Sequence, residues 1–299
     1  MNQPFDLQII LRKELEELIM KNLETLVELV NDRSNCKNQN ISNLGYFCVP
    51  FRPQTGPFSE KVIKIYRHIN DNKVLEKLVQ NHSEYIRKLQ EKGINVPETE
   101  IHIINLEKRQ VPVIVQEAID PKNLMRDQII NSKLNQTIYL LEIAAKVIAN
   151  FWNNLGPEDG RVGFHPSIRN FAIEDDKAIF FDSFPPLINY SHKEIGALLT
   201  AFSENTLIRI FGPLLQPKIS MVQNEWYSAS ETFVGLVGSA CRLKPSYAPE
   251  ILKWGKNFAR YEMQKWDTEI MSALESPPKL PGYWTAFRKL LNLPGKPNI

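Results

Sequence analysis

The chain has 299 residues, and 43% of them are hydrophobic, which is enough apolar material for a substantial core. Its 36 lysines and arginines nearly balance its 34 aspartates and glutamates, and the net charge near +2 argues against nucleic acid or a membrane surface as the partner. Three scattered cysteines, without a CxxC pair, argue against a disulfide framework and against a zinc site.

The nearly balanced charge favours small solutes or another protein as partners. The first residues, Met1–Asp6, lack the basic and apolar layout of a secretion signal. No apolar run approaches the roughly 18 residues that a membrane-spanning helix requires. We therefore expect a cytoplasmic protein.

The first 120 residues predict alternating helices and strands. Apolar residues at helical spacing between Leu7 and Val30 predict an amphipathic helix or helix pair, within a helical extension that covers residues 1–40. A second helix is expected from about Asp71 to Glu91, with Gly93 placed to end it. Four β-type runs are predicted as strands: Gly45–Val49, Lys61–Tyr66, Glu100–Leu106 and Val111–Gln116.

The second part of the chain is predicted to be mainly helical. Its clearest element is Lys133–Leu155, where apolar residues recur at steps of three and four, as in a helix that packs into a core. We place a strand-rich part at residues 41–119, a helical part at residues 120–276 and a tail at residues 277–299. Two unequal parts of this kind imply a cleft between them.

A predicted β-hairpin interrupts the helical part. Asn170 precedes the strand-like run Phe171–Ile173, Glu174–Lys177 forms a turn, and a second apolar run delivers Asp182 at its end. An amide and a carboxylate at the open end of one hairpin can hold a divalent cation, because hard cations prefer such oxygen ligands.

This order of residues resembles the catalytic loop and metal-binding motif of the protein-kinase-like superfamily, especially its aminoglycoside-phosphotransferase-like branch. The turn Gly93–Pro97 (Gly-Ile-Asn-Val-Pro) is similar to one that is common among the small-molecule kinases of that superfamily. The resemblance covers about residues 41–200. It implies an α+β fold with two lobes: a small antiparallel-sheet N-lobe with one helix, and a larger, mainly helical C-lobe.

The resemblance also implies a nucleotide site. Lys64, flanked by apolar strand residues, would emerge from the sheet and hold the phosphates of ATP. Glu84 in the following helix would pair with Lys64 and orient it, and Glu76 is a competing partner that spacing alone does not exclude. The main-chain groups of Glu117 and Ile119 would meet the adenine edge.

The same resemblance implies catalytic and metal-binding roles. Asn170 and Asp182 would bind Mg²⁺, and Asp182 would be essential for catalysis. The family's catalytic aspartate, five residues before the metal-binding asparagine, is replaced by His165, which can act as a general base near neutral pH. Asp159 is another possible base.

Other features depart from the family pattern. The loop Pro53–Pro57, where we look for the phosphate-covering glycines, contains only Gly56. The segment Asp182–Phe184 continues into Pro185-Pro186 rather than into the usual glycine, which predicts a stiff segment.

Three functions fit these residues. The first is a divergent kinase-like phosphotransferase that uses ATP and Mg²⁺ to phosphorylate a small-molecule acceptor. The second is a catalytically inactive pseudokinase that binds a ligand or regulates a partner protein, which the replacement by His165 and the missing glycines favour. The third is nucleotidyl transfer (adenylylation) on the same fold. Structural roles also remain open, since Asn170 and Asp182 could cap the hairpin.

Overall fold

A computed structural model describes residues 4–32, 47–107, 109–203, 206, 209 and 224–279. The described elements combine helices with two small antiparallel sheets, so the predicted α+β class is confirmed. The helices of at least seven residues are α1 (Pro4–Asn31), α2 (Asn72–Glu91), α3 (Met125–Asn131), α4 (Leu134–Asn153), α5 (His192–Phe202), α6 (Ala229–Leu243), α7 (Ala248–Glu262) and α8 (Asp267–Ala273). The strands are β1 (Lys61–Ile65), β2 (Thr99–Leu106), β3 (Arg109–Glu117), β4 (Phe171–Glu174) and β5 (Lys177–Phe180).

The first sheet has the strand order β1-β3-β2, and both strand pairs are antiparallel. Its central strand β3 is buried from Val111 to Gln116, because helices cover both of its faces. Val113 and Val115 pack with Leu26 and Val30 of α1, whereas Ile114 belongs to the core that contains α2. The near-continuous apolar sequence of this strand follows from that double burial.

Helix α2 begins and ends where its sequence signals predict. The carboxylate of Asp71 accepts hydrogen bonds from the backbone N–H groups of Lys73 and Val74, which caps the first turn. Gly93 ends the helix with φ +80°, and the N–H of Ile94 closes the last turn on Leu89 O. The buried face of the helix consists of Leu75, Leu78, Asn81, His82, Tyr85 and Leu89.

The predicted hairpin is present as β4 and β5. Phe171 pairs with Phe180 and Glu174 pairs with Lys177, and the turn residues Asp175 and Asp176 have φ values of 46° and 61°. Two consecutive residues with positive φ are typical of a type I′ turn, which matches the twist of short hairpins. The aromatic rings of Phe171 and Phe180 pack on Phe164, so the hairpin is anchored on the helical core.

Helices α4, α6, α7 and α8 pack on one another to form the helical part. Helix α1 is one continuous helix rather than a pair. Among the described residues, no helix is long and apolar enough to cross a membrane. The predicted strand at Gly45–Val49 falls partly outside the described residues, as does the tail after Lys279.

Helix α2 connects the strand-rich part to the helical part. Lys77 forms an ion pair with Glu194 (2.6 Å), and the hydroxyl of Tyr85 donates to the carbonyl of Gly163 (3.0 Å). These bonds hold α2 against the segments that precede and follow the hairpin.

Candidate functional site

Lys64 lies in β1 with only 9% of its surface exposed. Its ammonium group donates a hydrogen bond to the carbonyl of Phe181, at a distance of 3.0 Å. Burial lowers the pKa of Lys64, and the nearby carboxylate of Asp182 partly offsets this effect. Lys64 therefore reaches the end of the hairpin, next to Asp182.

Asn170 and Asp182 both lie at the open end of the hairpin. The N–H of Phe181 donates to the carbonyl of Asn170 (3.1 Å), which places Asp182 one residue beyond that bond. The side-chain amide of Asn170 donates to the carbonyl of His165 (2.9 Å) and is thereby held in one orientation. Lys64, Asn170 and Asp182 are thus brought together around the backbone of Phe181.

His165 lies beside this group. Its ring centroid is 5.1 Å from that of Trp226, and the residue is half-buried. Burial lowers the pKa of His165 below its usual value, while the charge of Asp182 acts in the opposite direction. The imidazole is therefore neutral at physiological pH and can accept a proton. The contact with Trp226 was not foreseen from the sequence, because an isolated tryptophan there reads as a core residue.

The predicted pairing of Lys64 with Glu84 is wrong. The carboxylate of Glu84 accepts a hydrogen bond from the side chain of Asn189 (2.9 Å) instead, and Glu76 is exposed. The α2 side chain on the Lys64 side is His82, whose Nε2 lies 3.1 Å from the hydroxyl of Ser183.

His82 is a neutral buried group. Its side chain is almost completely enclosed, and burial lowers its pKa to about 4, with a further contribution from the positive charge of Lys64. Sequence reasoning missed His82 because it looked for a carboxylate. A signal was available, since His82 falls on the apolar stripe of α2 at steps of three and four from Leu78 and Tyr85, whereas Glu84 lies off that stripe.

The carboxylate of Asp159 is fully engaged in ion pairs and a backbone hydrogen bond, so Asp159 is no longer a candidate base. Its carboxylate forms ion pairs with Lys92 (2.6 Å) and Lys88 (2.9 Å), at the end of α2, and accepts from the N–H of Gly156 (2.8 Å). These bonds, the one from Lys92 foremost, hold the pKa of Asp159 well below its usual value. Asp159 therefore anchors α2 to the helical part.

The loop that contains Gly56 is not at the predicted place. Phe51 and Ile63 exchange two backbone hydrogen bonds (3.1 and 2.8 Å), so the intervening loop lies at the N-terminal end of β1. There the backbone carbonyl of Glu60 accepts from the N–H of Ala118 (3.1 Å), which places the loop beside the connector.

The segment at Phe47 and Cys48 approaches Lys64. The Cys48 side chain influences the pKa of Lys64, and the ring of Phe47 lies 5.7 Å from that of Phe184. The residues that precede this segment lie outside the described part of the chain.

In the connector, one of the backbone groups expected to meet adenine is already bonded within the protein. Glu117 ends β3, and its N–H already donates to the carbonyl of Glu98 (2.9 Å). A ligand at this position would therefore meet the carbonyl of Glu117 rather than its N–H. Ile119, which is half-buried, follows at the start of the turn into the helical part.

Aromatic packing fixes the segment that follows Asp182. The rings of Tyr66 and Phe184 stack with centroids 3.9 Å apart, and Phe202 packs edge-on against Phe184 at 5.3 Å. Burial raises the pKa of the Tyr66 hydroxyl well above its usual value. The stiff segment that the two prolines predict is consistent with this packing.

The described residues contain no cluster of three or more imidazole, thiolate or carboxylate groups that could hold a metal by themselves. Asn170 and Asp182 supply two oxygen donors, which fits a cation whose other ligands come from a bound phosphate or from water. Mg²⁺ is commonly bound in this way, whereas a structural zinc site is not.

Comparison with known proteins identifies one family. A family model described as a family of unknown function (DUF6206) matches residues 25–295. No curated protein matches the chain.

Proposed function

The chain belongs to the DUF6206 family, and we propose that it is a divergent kinase-like phosphotransferase that uses ATP and Mg²⁺ to phosphorylate a small-molecule acceptor. The observation that carries the proposal is the convergence of Lys64, Asn170 and Asp182 on the backbone of Phe181. Phosphoryl transfer needs mainly positioning and charge neutralisation, which this residue set can provide.

The order of elements supports a two-lobed kinase-like fold. A helix lies between the first two strands of an antiparallel sheet, and the central strand β3 leads into a connector and then into helices. A hairpin within the helical part ends at Asp182. We propose lobes at residues 41–119 and 120–276, with Lys64 in the first and Asn170 and Asp182 in the second.

Each residue of the site has a separate role in the proposed reaction. The ammonium group of Lys64 neutralises phosphate oxygens, and an anionic ligand would favour its charged form, since burial alone disfavours it. Asn170 and Asp182 hold the cation, which neutralises developing charge on the transferred group. His165, neutral and beside Asp182, accepts the proton of the acceptor hydroxyl.

Calorimetric titration tests this proposal. Purified protein is titrated with ATP and with a non-hydrolysable analogue, each with and without Mg²⁺, and the titrations are repeated with Asp182→Asn. The matched control is Glu76→Gln, which removes an exposed carboxylate on α2. We expect Mg²⁺-dependent binding that Asp182→Asn weakens at least about tenfold and that the control retains. Nucleotide binding that is insensitive to Mg²⁺ and to Asp182 would overturn the proposed site.

A pseudokinase is the second candidate, and His82 is the observation that favours it. A neutral imidazole stands where a charged partner for Lys64 is expected, so the lysine has no carboxylate on α2 to orient it. This candidate predicts nucleotide or ligand binding without turnover. ATP consumption that depends on an added hydroxylated acceptor, and that Asp182→Asn abolishes, would exclude it.

A further inference from the structure

A pocket lies away from the candidate site, where the end of α1 meets the sheet. Its volume is about 200 Å³. Val30 and Asn31 of α1 form one wall, Arg67 and His68 follow β1, and Arg109 begins β3. The floor is apolar, because Val30 and Val111 are buried in the core between α1 and the sheet.

Positive charge dominates the pocket wall. None of the lining side chains is acidic. Within the described residues, no carboxylate lies at ion-pair distance from Arg67 or Arg109. Other cations in the strand-rich part do have such partners: Arg52 with Glu60, Lys61 with Glu98 and Lys77 with Glu194. Glu107 lines a more open depression that also includes Arg109, but it does not line this pocket.

The arrangement of the two arginines suits an oxyanion. Arg67 is partly buried, and its guanidinium donates to the carbonyl of Ala201 over 3.3 Å, a long bond that holds the group without neutralising it. A guanidinium presents several N–H donors in a plane, which match phosphate and carboxylate oxygens. The apolar floor reduces competition from water and strengthens such contacts.

We propose that this pocket binds a small molecule through a phosphoryl or carboxylate group, with Arg67 and Arg109 as the charged contacts and Asn31 as a polar one. The volume suits a small solute rather than a polymer. This site is separate from the one at Lys64 and does not depend on the proposed phosphotransfer. The competing explanation is structural: cations near the last turn of α1 also favour its C-terminal carbonyls.

The test uses the full chain and four probes at matched ionic strength: inorganic phosphate, pyrophosphate, citrate and chloride. Binding is followed by calorimetry, and thermal unfolding is recorded in parallel. The variants are Arg67→Gln, Arg109→Gln and Asn31→Asp, the last of which places a negative charge at the rim. Arg87→Gln, on the exposed face of α2, is the matched control, and Lys64→Met identifies any anion bound at the candidate site.

We expect saturable binding of phosphate, pyrophosphate or citrate but not of chloride. Each pocket variant should weaken binding at least about tenfold, whereas Arg87→Gln and Lys64→Met should not. Comparison of phosphate with citrate then distinguishes a phosphoryl from a carboxylate ligand. Three results would overturn the proposal: no saturable binding, binding lost only in Lys64→Met, or arginine variants that unfold earlier while anion binding is unchanged.

Discussion

The ammonium group of Lys64 donates to the carbonyl of Phe181 over 3.0 Å, although the two residues are 117 positions apart. This bond joins strand β1, at the edge of the sheet, to the end of the hairpin. It also sets Lys64 beside Asp182, the carboxylate most able to attract it. The candidate site therefore depends on contact between two parts of the chain that are folded from separate segments.

We expect Lys64→Met to separate ligand binding from stability. Burial disfavours the charged lysine, so replacing it with an apolar side chain of similar length should leave the free energy of unfolding unchanged or raise it. ATP affinity should fall at least about tenfold, because a charged contact to phosphate is lost. Urea unfolding and calorimetry measure the two effects.

Lys73→Met, an exposed lysine in the first turn of α2, is the control and should change neither quantity. A loss of more than about 2 kcal/mol in Lys64→Met would instead identify the bond to Phe181 as a main stabiliser of the fold.

His82 predicts a specific loss of stability in acid. Its pKa is about 4 in the folded protein, against 6.5 for an unperturbed imidazole, so the unfolded state binds more protons between these values. The contribution of neutral His82 to the free energy of unfolding is complete above about pH 6.5. It is lost as the pH falls toward 4 and amounts to about 3 kcal/mol in total. Urea unfolding at a series of pH values measures it.

The variant His82→Gln should flatten this part of the pH profile. His102→Gln is the matched control, because His102 lies on β2 and contacts Glu100 near the surface. A wild-type profile that is already flat between pH 6.5 and 4 would contradict burial of a neutral His82.

Asp159→Asn distinguishes an anchor from a base. The substitution weakens the ion pairs with Lys88 and Lys92, and we expect the free energy of unfolding to fall by about 1–3 kcal/mol at neutral pH. Since those bonds lower the pKa of Asp159, their contribution is present above the ordinary carboxyl pKa and is lost on acidification below it. Denaturant unfolding of Asp127→Asn, an exposed carboxylate, provides the comparison.

Any activity of the wild type should survive Asp159→Asn under conditions where the variant is folded. A rate that collapses while the free energy of unfolding stays unchanged would return Asp159 to the catalytic residues.

His165→Gln tests the proposed proton acceptor. If the protein transfers phosphate, the rate should drop by roughly 10²-fold or more, with the KM for ATP little changed. Because burial lowers the pKa of His165, the wild-type rate should already be on its plateau at pH 7 and should decline only in acid. Steady-state kinetics across pH measure both effects. An unaltered rate would remove His165 from the mechanism, and His102→Gln serves as the control for histidine loss.

Local sequence signals determined the elements that carry the site. The cap at Asp71, the glycine at position 93 and the apolar stripe between them are enough to predict α2. The hairpin between Asn170 and Asp182 follows from two short apolar runs around an acidic turn. These features act over a few residues, so the sequence alone reveals them.

Only the tertiary structure decided which side chains meet. Glu84 and His82 lie two residues apart on one helix, and the rotation of that helix against the hairpin turns His82 toward Ser183 and leaves Glu84 to Asn189. Lys88 and Lys92, around the end of α2, form ion pairs with Asp159, which belongs to a different segment of the chain. The backbone hydrogen bonds between Phe51 and Ile63 place the Gly56 loop away from Lys64. Long-range packing sets such partners. Burial of the apolar stripe fixes the orientation of the whole helix, and its polar side chains then bond to the polar groups of the segment that lies next to them.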